Sequence, residues 1–237
     1  MENAFEALAL QPPGWGGNLL RGLLATVQIA LGAYALGLFI GFCGALGKLH
    51  GGPVLRWSLE VYTTLIRAVP ELVLILLLYY AGTDLLNTVR ANLGFDRVDI
   101  NGLWAGIYVI GFVQGAYSTE VLRGAIKAVP QGQIEAAKSV GMSPAQVFRR
   151  ITVPLMLPFA LPGLANLWLI TTKETALLAV IGFSELALET RQAAGATKDY
   201  LLFYLAAGTL YLLLTMVSNL VFGLLERRLR RGEARLN

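Results

Sequence analysis

The 237-residue chain has one cysteine, Cys43, and one histidine, His50. A lone cysteine forms no intramolecular disulfide, and its place inside a long apolar run reads as a small packing residue. A solitary thiol and a solitary imidazole also count against an intramembrane enzyme, which needs a nucleophile with a base, or a set of metal ligands. A phosphate-binding loop is missing too. Gly47-Lys48 resembles the end of one, but Phe42 stands where the first glycine belongs and Leu49 where Ser or Thr is required. Residues 1–18 have Glu2 and Glu6 instead of a basic leader, and no long apolar core, so they do not read as a signal peptide. Charge itself is scarce: 14% of residues are charged, against about 25% in soluble domains.

What is abundant is apolar sequence, 56% of the chain. Uncharged stretches run over 22–47, 100–119, 151–172 and 200–225, each with the roughly 20 residues that cross the hydrocarbon core as a helix. A fifth stretch, 57–83, is interrupted by Glu60, Arg67 and Glu71, but 72–83 is continuously apolar and 61–66 extends it. The expected fold is an all-α integral membrane protein, one domain over 1–237, with spans at about 19–47, 57–83, 100–122, 151–180 and 200–226. Polar residues at 84–99, Asp99 among them, read as an external loop with room for a short surface helix, and 185–199 reads as the second external loop. The ten uncharged residues 175–184 are too few to span, and either finish the fourth helix or form a re-entrant element.

Five spans put the termini on opposite sides. One side carries twelve basic residues: Lys48, Arg56, Arg123, Lys127, Lys138, Arg149, Arg150, Arg227, Arg228, Arg230, Arg231 and Arg235. The other carries five: Arg21, Arg90, Arg97, Arg191 and Lys198. The positive-inside rule makes the first side cytoplasmic, the N-terminus periplasmic and the C-terminus cytoplasmic. The net charge of +4 thus follows membrane topology and gives no reason to expect nucleic acid. The basic tail from Glu226 to Arg231 reads as a topology anchor at the lipid surface. Glycine pairs such as Gly37-x-x-x-Gly41 and Gly111-x-x-x-Gly115 suit close helix packing in lipid, within the subunit rather than across a dimer.

Charges within the spans are the candidate solute path. Arg67, Glu71, Glu120, Lys173 and Glu174 lie in or near spans, where a charge costs roughly 2.5–3.5 kcal/mol unless it faces an interior or a wet cavity. Arg67 and Glu71 are four apart on one expected helix face and could pair. Pro70 between them weakens that helix and frees backbone groups a cavity could use. Glu71, Glu120 and Glu174 either make an anionic lining for a cationic or zwitterionic solute, or form internal ion pairs or interfacial groups. The alternatives are evenly balanced for Glu71 and Glu120. The second is favoured for Glu174. Lys173 and Glu174, being adjacent, point in different directions.

The polar loop 130–150 reads as two short helices. Pro130 precedes the first, and Glu135 lies in its early turns, where the helix dipole favours a carboxylate. Gly141 can end it through left-handed dihedrals. Ser143 then reads as an N-cap, with Pro144 at the first helical position and Gln146 completing a capping box. Val147, Phe148 and Ile151 give the second helix an apolar side, and Pro154 and Pro158 mark the bend into the next span. Ala136, Ala137 and Gly141 are small, as a knob set into a partner's groove would be.

The spacing Glu135-Ala136-Ala137, three residues, Gly141, nine residues, Ile151, one residue, Val153-Pro154 resembles the EAA loop of bacterial ABC importer permeases. Val153 stands where that pattern usually has Leu. Residues 62–72, YTTLIRAVPEL, and 115–124, GAYSTEVLRG, are similar to the polar amino-acid permeases of that group, most of all to the subunits for basic amino acids (histidine, lysine, arginine, ornithine) and opines. The resemblance implies a type I ABC importer permease fold with five transmembrane helices in the bacterial inner membrane. It implies a second permease subunit, homologous or identical, around an amino-acid solute path. ATPase subunits would hold ATP and Mg, leaving no cofactor on this chain, and a periplasmic solute-binding protein would deliver the solute. The ATPase would dock on Glu135, Ala136, Ala137, Gly141, Ser143, Ile151 and Pro154, and drive alternating access. The solute path would draw on Arg67, Pro70, Glu71, Glu120, Lys173 and Glu174. Relatives of the histidine type usually have Asp at the position of Glu71 and Ser or Ala at that of Glu174. The alternative is a self-powered secondary transporter or channel, which intramembrane charges would suit and the lack of an internal repeat does not.

Overall fold

Proline and glycine divide the chain into helices, and the computed structural model describes residues 2–98 and 101–229. A short α1 (Glu2–Ala7) precedes the 35-residue α2 (Gly16–His50). Gly51-Gly52-Pro53 turns the chain into α3 (Pro53–Ala68), with proline at the helix start, where its missing N–H costs nothing. Then come α4 (Glu71–Asn92) and α5 (Gly102–Lys127). The short α6 (Gln131–Ser139) and α7 (Pro144–Val147) follow, and a π-wound turn (Phe148–Thr152) leads into α8 (Val153–Glu174). A 3₁₀ segment (Thr175–Ile181) extends α8, and α9 (Leu186–Thr197) and α10 (Tyr200–Leu229) complete the described residues.

Among the described residues four helical stretches are long and apolar enough to cross a membrane: Gly16–His50, Glu71–Asn92, Pro144–Ile181 and Tyr200–Leu229. The 26-residue α5 falls outside this set for a physical reason. It sits at the centre of the bundle, with Gln114, Ser118 and Thr119 fully buried, and a helix shielded from lipid by its neighbours has no need of an apolar surface all round. The nitrogen of its buried amide is answered within the protein: Gln114 Nε2 donates to the Leu167 carbonyl of α8 at 3.0 Å and to Thr171 Oγ1.

The largest interface is between α2 and α5. Gly37 and Gly41 lie against Gln114 and Ser118, while Gly111 and Gly115 receive Leu36 and Ile40. A Cβ on Gly41 would meet the Ser118 carbonyl carbon at 2.8 Å. Both glycine pairs therefore serve packing within the chain, which lets the two backbones approach and gain van der Waals contact along many turns. Cys43 is exposed on α2 instead of packing inward.

Two expectations need correction, and one open alternative is decided. The stretch 57–83 is not one continuous helix: Val69 is extended (φ −97°, ψ 139°), as the residue before a proline prefers, and separates α3 from α4. Residues 84–92 continue α4, and 186–197 form α9, so both expected external loops are largely helical. Residues 175–181 finish the fourth long helix as a 3₁₀ extension that ends at Gly182 with φ +87°. Asp99 and the tail residues Arg230, Arg231 and Arg235 lie outside the described residues.

The entry to α9 is fastened by a buried carboxylate. Glu185 caps the helix by accepting the Leu188 N–H at 2.8 Å, and also accepts from Thr26 of α2 and Tyr211 of α10, each at 3.3 Å. Burial pushes the Glu185 carboxyl above its ordinary range, and these donors offset part of that rise.

Candidate functional site

Three groups of residues draw together what the sequence singled out. The first is the α6–α7 hairpin. Pro130 N-caps α6, which ends in a Schellman turn: the Gly141 N–H bonds the Lys138 carbonyl at 3.0 Å, and the Met142 N–H the Ala137 carbonyl at 3.2 Å. Gly141 takes φ +80°, the conformation this turn demands and a side chain resists. Ser143 and Gln146 close a reciprocal capping box at the start of α7. The π-wound turn then relieves the clash that the Pro154 ring would otherwise make with the Arg150 carbonyl.

This hairpin presents Glu135, Ala136, Gly141, Ser143 and Pro154 outward, with Ile151 half-buried. Ala137 is buried, so the small residues do not form one knob; Ala137 roots the hairpin and the others remain at its surface. Val140 stands 76% exposed beside Gly141. On the inner side, Ile134 packs into a core of Ala45, Leu122, Ala125, Val129, Met156 and Ala160. The hairpin is thus seated directly on α2, α5 and α8.

The second group is an ion cluster at the same end. Lys48 Nζ donates to Glu60 Oε2 at 2.6 Å, to Glu120 Oε1 at 2.6 Å and to Thr63 Oγ1 at 2.7 Å. Arg123 meets the other oxygen of Glu120, Nη2 to Oε2, at 2.6 Å. The Lys48 side chain is 2% exposed, and three acceptors match the three ammonium protons. Glu120 is therefore committed to two cations. The sequence put Lys48 on the loop side as a topology charge, and nothing in its spacing announced partners 12 and 72 residues away.

The third group lies at the break between α3 and α4. Glu71, the first residue of α4, interacts electrostatically with Tyr117 of α5 and with Glu174, the last residue of α8; Arg67 also acts on Tyr117. Glu174 is buried, and its Oε1 has no hydrogen-bond partner. Lys173 is exposed, on the other side of the helix. Arg67 and Glu71 do not pair as expected, because the helix break removes their shared face; Arg67 Nε instead donates to the Thr63 carbonyl at 3.1 Å. The structure brings Arg67, Pro70, Glu71 and Glu174 together and leaves Glu120 and Lys173 elsewhere. Tyr117, missing from the sequence-based set, joins them; its place in the conspicuous stretch 115–124 was the available signal. A groove of about 610 Å³ between α4 and α5 is lined by residues such as Leu78, Leu85, Val89 and Trp104, with Tyr79, Thr83 and Tyr108 but no charged side chain.

Residues 33–231 match the family described as binding-protein-dependent transport system inner membrane component. The chain is 44% identical over 222 residues to the histidine/lysine/arginine/ornithine transport system permease protein HisQ of Salmonella typhimurium, covering 94% of this chain and 97% of that protein. It is 42% identical over 221 residues to the nopaline transport system permease protein NocQ of Agrobacterium fabrum, covering 92% and 94%. It is 38% identical over 228 residues to the octopine transport system permease protein OccQ of Rhizobium radiobacter, covering 96% of each. Among solved structures, an amino acid ABC transporter crystallised with histidines superposes with TM-score 0.76 at 28% identity, over 90% of this chain and 95% of that one. The inward-facing MetNI methionine ABC transporter shares the fold, with TM-score 0.74 at 18% identity over 90% and 97%. A protein matched across most of its length by this family model and by these relatives is a multi-pass inner-membrane permease of ABC transport, and the chain belongs to the binding-protein-dependent transport system inner membrane component family.

Proposed function

We propose that this chain forms half of the solute path of an ATP-driven importer for a basic or other polar amino acid or an opine. The observation that carries the reading is the α6–α7 hairpin: an outward surface of Glu135, Ala136 and Gly141 on a base packed into the ends of α2, α5 and α8. A partner that moves this hairpin moves the bundle. The ATPase subunits, with ATP and Mg bound on them, are that partner. Their closure shifts the hairpin and reorients the helices between outward and inward access. In this reading the chain crosses the membrane five times, through α2, the broken α3–α4 pair, α5, α8 with its 3₁₀ extension, and α10. The N-terminus is periplasmic, where a solute-binding protein delivers the solute, and the C-terminus cytoplasmic. A second permease subunit, homologous or identical, supplies the other half.

The solute class rests on the names of the relatives and on the third group of residues. Glu71 and Glu174 can bind an ammonium or guanidinium group, while the free N-terminus of α4 at the Pro70 break suits a carboxylate. The partnerless oxygen of Glu174 is the atom in search of such a donor.

Affinity purification of the tagged chain from its native membrane tests the reading. An ATPase subunit should co-purify with the intact chain and be lost with Gly141→Trp. A second permease in the eluate would distinguish a heterodimer from a homodimer. A chain purified without any ATPase, under conditions that preserve other such complexes, would favour a self-powered transporter.

A further inference from the structure

A cavity of about 290 Å³ opens at the hairpin end of the bundle, lined by Lys48, Leu49, Arg56, Glu60, Arg123 and Lys127. Four cations and one carboxylate face it. Glu60 and Glu120 answer Lys48 and Arg123. Among the described residues Arg56 and Lys127 form no ion pair, and Arg56 only donates to the Gly51 carbonyl at 3.3 Å. The cavity therefore keeps an uncompensated positive charge and suits an anion.

The neighbourhood says which anion. On α3, beside Arg56, Val54 is 77% exposed and Trp57 70% exposed, three residues apart on one helix face. Bare aliphatic and indole surface at the end of a membrane helix belongs at the lipid boundary, where tryptophan is enriched. A ligand that places a phosphate among cations and carries hydrocarbon alongside satisfies both halves of this surface. We propose that the cavity holds the phosphate headgroup of an anionic phospholipid, with Arg56 and Lys127 as its contacting cations and Val54 and Trp57 against its acyl chains. The inference requires only that the chain lie in a membrane, and stands apart from the solute and ATPase readings.

The test uses the full chain in detergent micelles doped with phosphatidylglycerol or phosphatidylcholine, with retained lipid counted by native mass spectrometry. Phosphatidylglycerol should be retained in preference. Arg56→Gln with Lys127→Gln should weaken retention about thirtyfold, whereas Arg56→Lys with Lys127→Arg should keep it. A photoactivatable phosphatidylglycerol should label residues 49–60 of the unaltered chain. Equal retention of the two lipids, equal retention by the neutral double variant, or labelling spread evenly over α2 and α10 would each overturn the proposal. Millimolar inorganic phosphate displacing the lipid would make this a free-anion site, and loss of co-purifying ATPase with unchanged lipid would assign the surface to a protein partner; either result also overturns it.

Discussion

Lys48 Nζ and Glu120 Oε1 meet at 2.6 Å, although 72 residues separate them in the chain. Glu60 and Thr63 of α3 complete the shell around the ammonium, so one buried cation ties α2, α3 and α5 together beneath the hairpin. Removing one member of a buried pair leaves the other uncompensated and typically costs about 3–5 kcal/mol. Arg123 still faces Glu120, and Glu60 is 60% exposed, so Lys48→Met should cost about 3 kcal/mol, the lower end of that range. The measurement is the apparent Tm of the purified chain at one scan rate. Glu120→Gln added to Lys48→Met should cost less than it does alone, because the pair has already been broken. Additive losses would dismiss the coupling.

Two carboxylates within the bundle should separate cleanly in transport assays. Glu120 is occupied by cations, whereas Glu174 has a bare buried oxygen next to Glu71. Glu174→Gln should raise the solute concentration for half-maximal uptake about tenfold, the worth of one charged hydrogen bond. Glu120→Gln should leave that concentration within about twofold and lower stability instead. The reverse pattern would move the solute path to the Glu120 end.

Glycine substitutions should sort by contact. A Cβ at Gly41 runs into Ser118 of α5, so Gly41→Ala should cost about 1–3 kcal/mol. Gly124, also helical, has nothing within 4 Å of its Cβ position. Gly124→Ala should stabilise by about 0.5–1 kcal/mol through helix propensity alone. Equal effects on apparent Tm at the two sites would contradict the close α2–α5 packing.

Glu185 should give stability a pH dependence of definite sign. Burial raises its carboxyl in the folded chain above the unfolded value, so the folded state holds the proton more tightly. Stability from this group is then complete below the ordinary carboxylate range and declines as pH rises from there through the raised folded value. Glu185→Gln keeps an oxygen to accept the Leu188 N–H and turns an amide NH₂ toward the hydroxyls of Thr26 and Tyr211, which can accept from it, and should abolish that decline. An unchanged slope of apparent Tm against pH would assign it to other groups.

The hairpin was legible because its causes are local. A Schellman glycine, a capping box and a proline at a helix start are decided within a few residues, and Gly141, Ser143, Pro144 and Gln146 each took the expected role. The apolar runs were equally plain, since crossing lipid demands length and composition in one continuous segment. The break at Val69 was only half legible. Pro70 signalled a weakened helix, but the separation of Arg67 from Glu71 depended on α4 starting a new helix with its own phase.

The sequence by itself determined the membrane class, the positions of the long helices apart from the α3–α4 pair, and the form of the 130–154 turn structure, because near-neighbour backbone chemistry and hydrophobicity govern all of these. Only the tertiary structure decided what the charges do. It set Glu120 on Lys48 and Arg123, left Glu174 facing Glu71, turned Lys173 outward and buried Ala137. A charge inside a membrane takes its meaning from what faces it, and what faces it comes from helices far away in the chain.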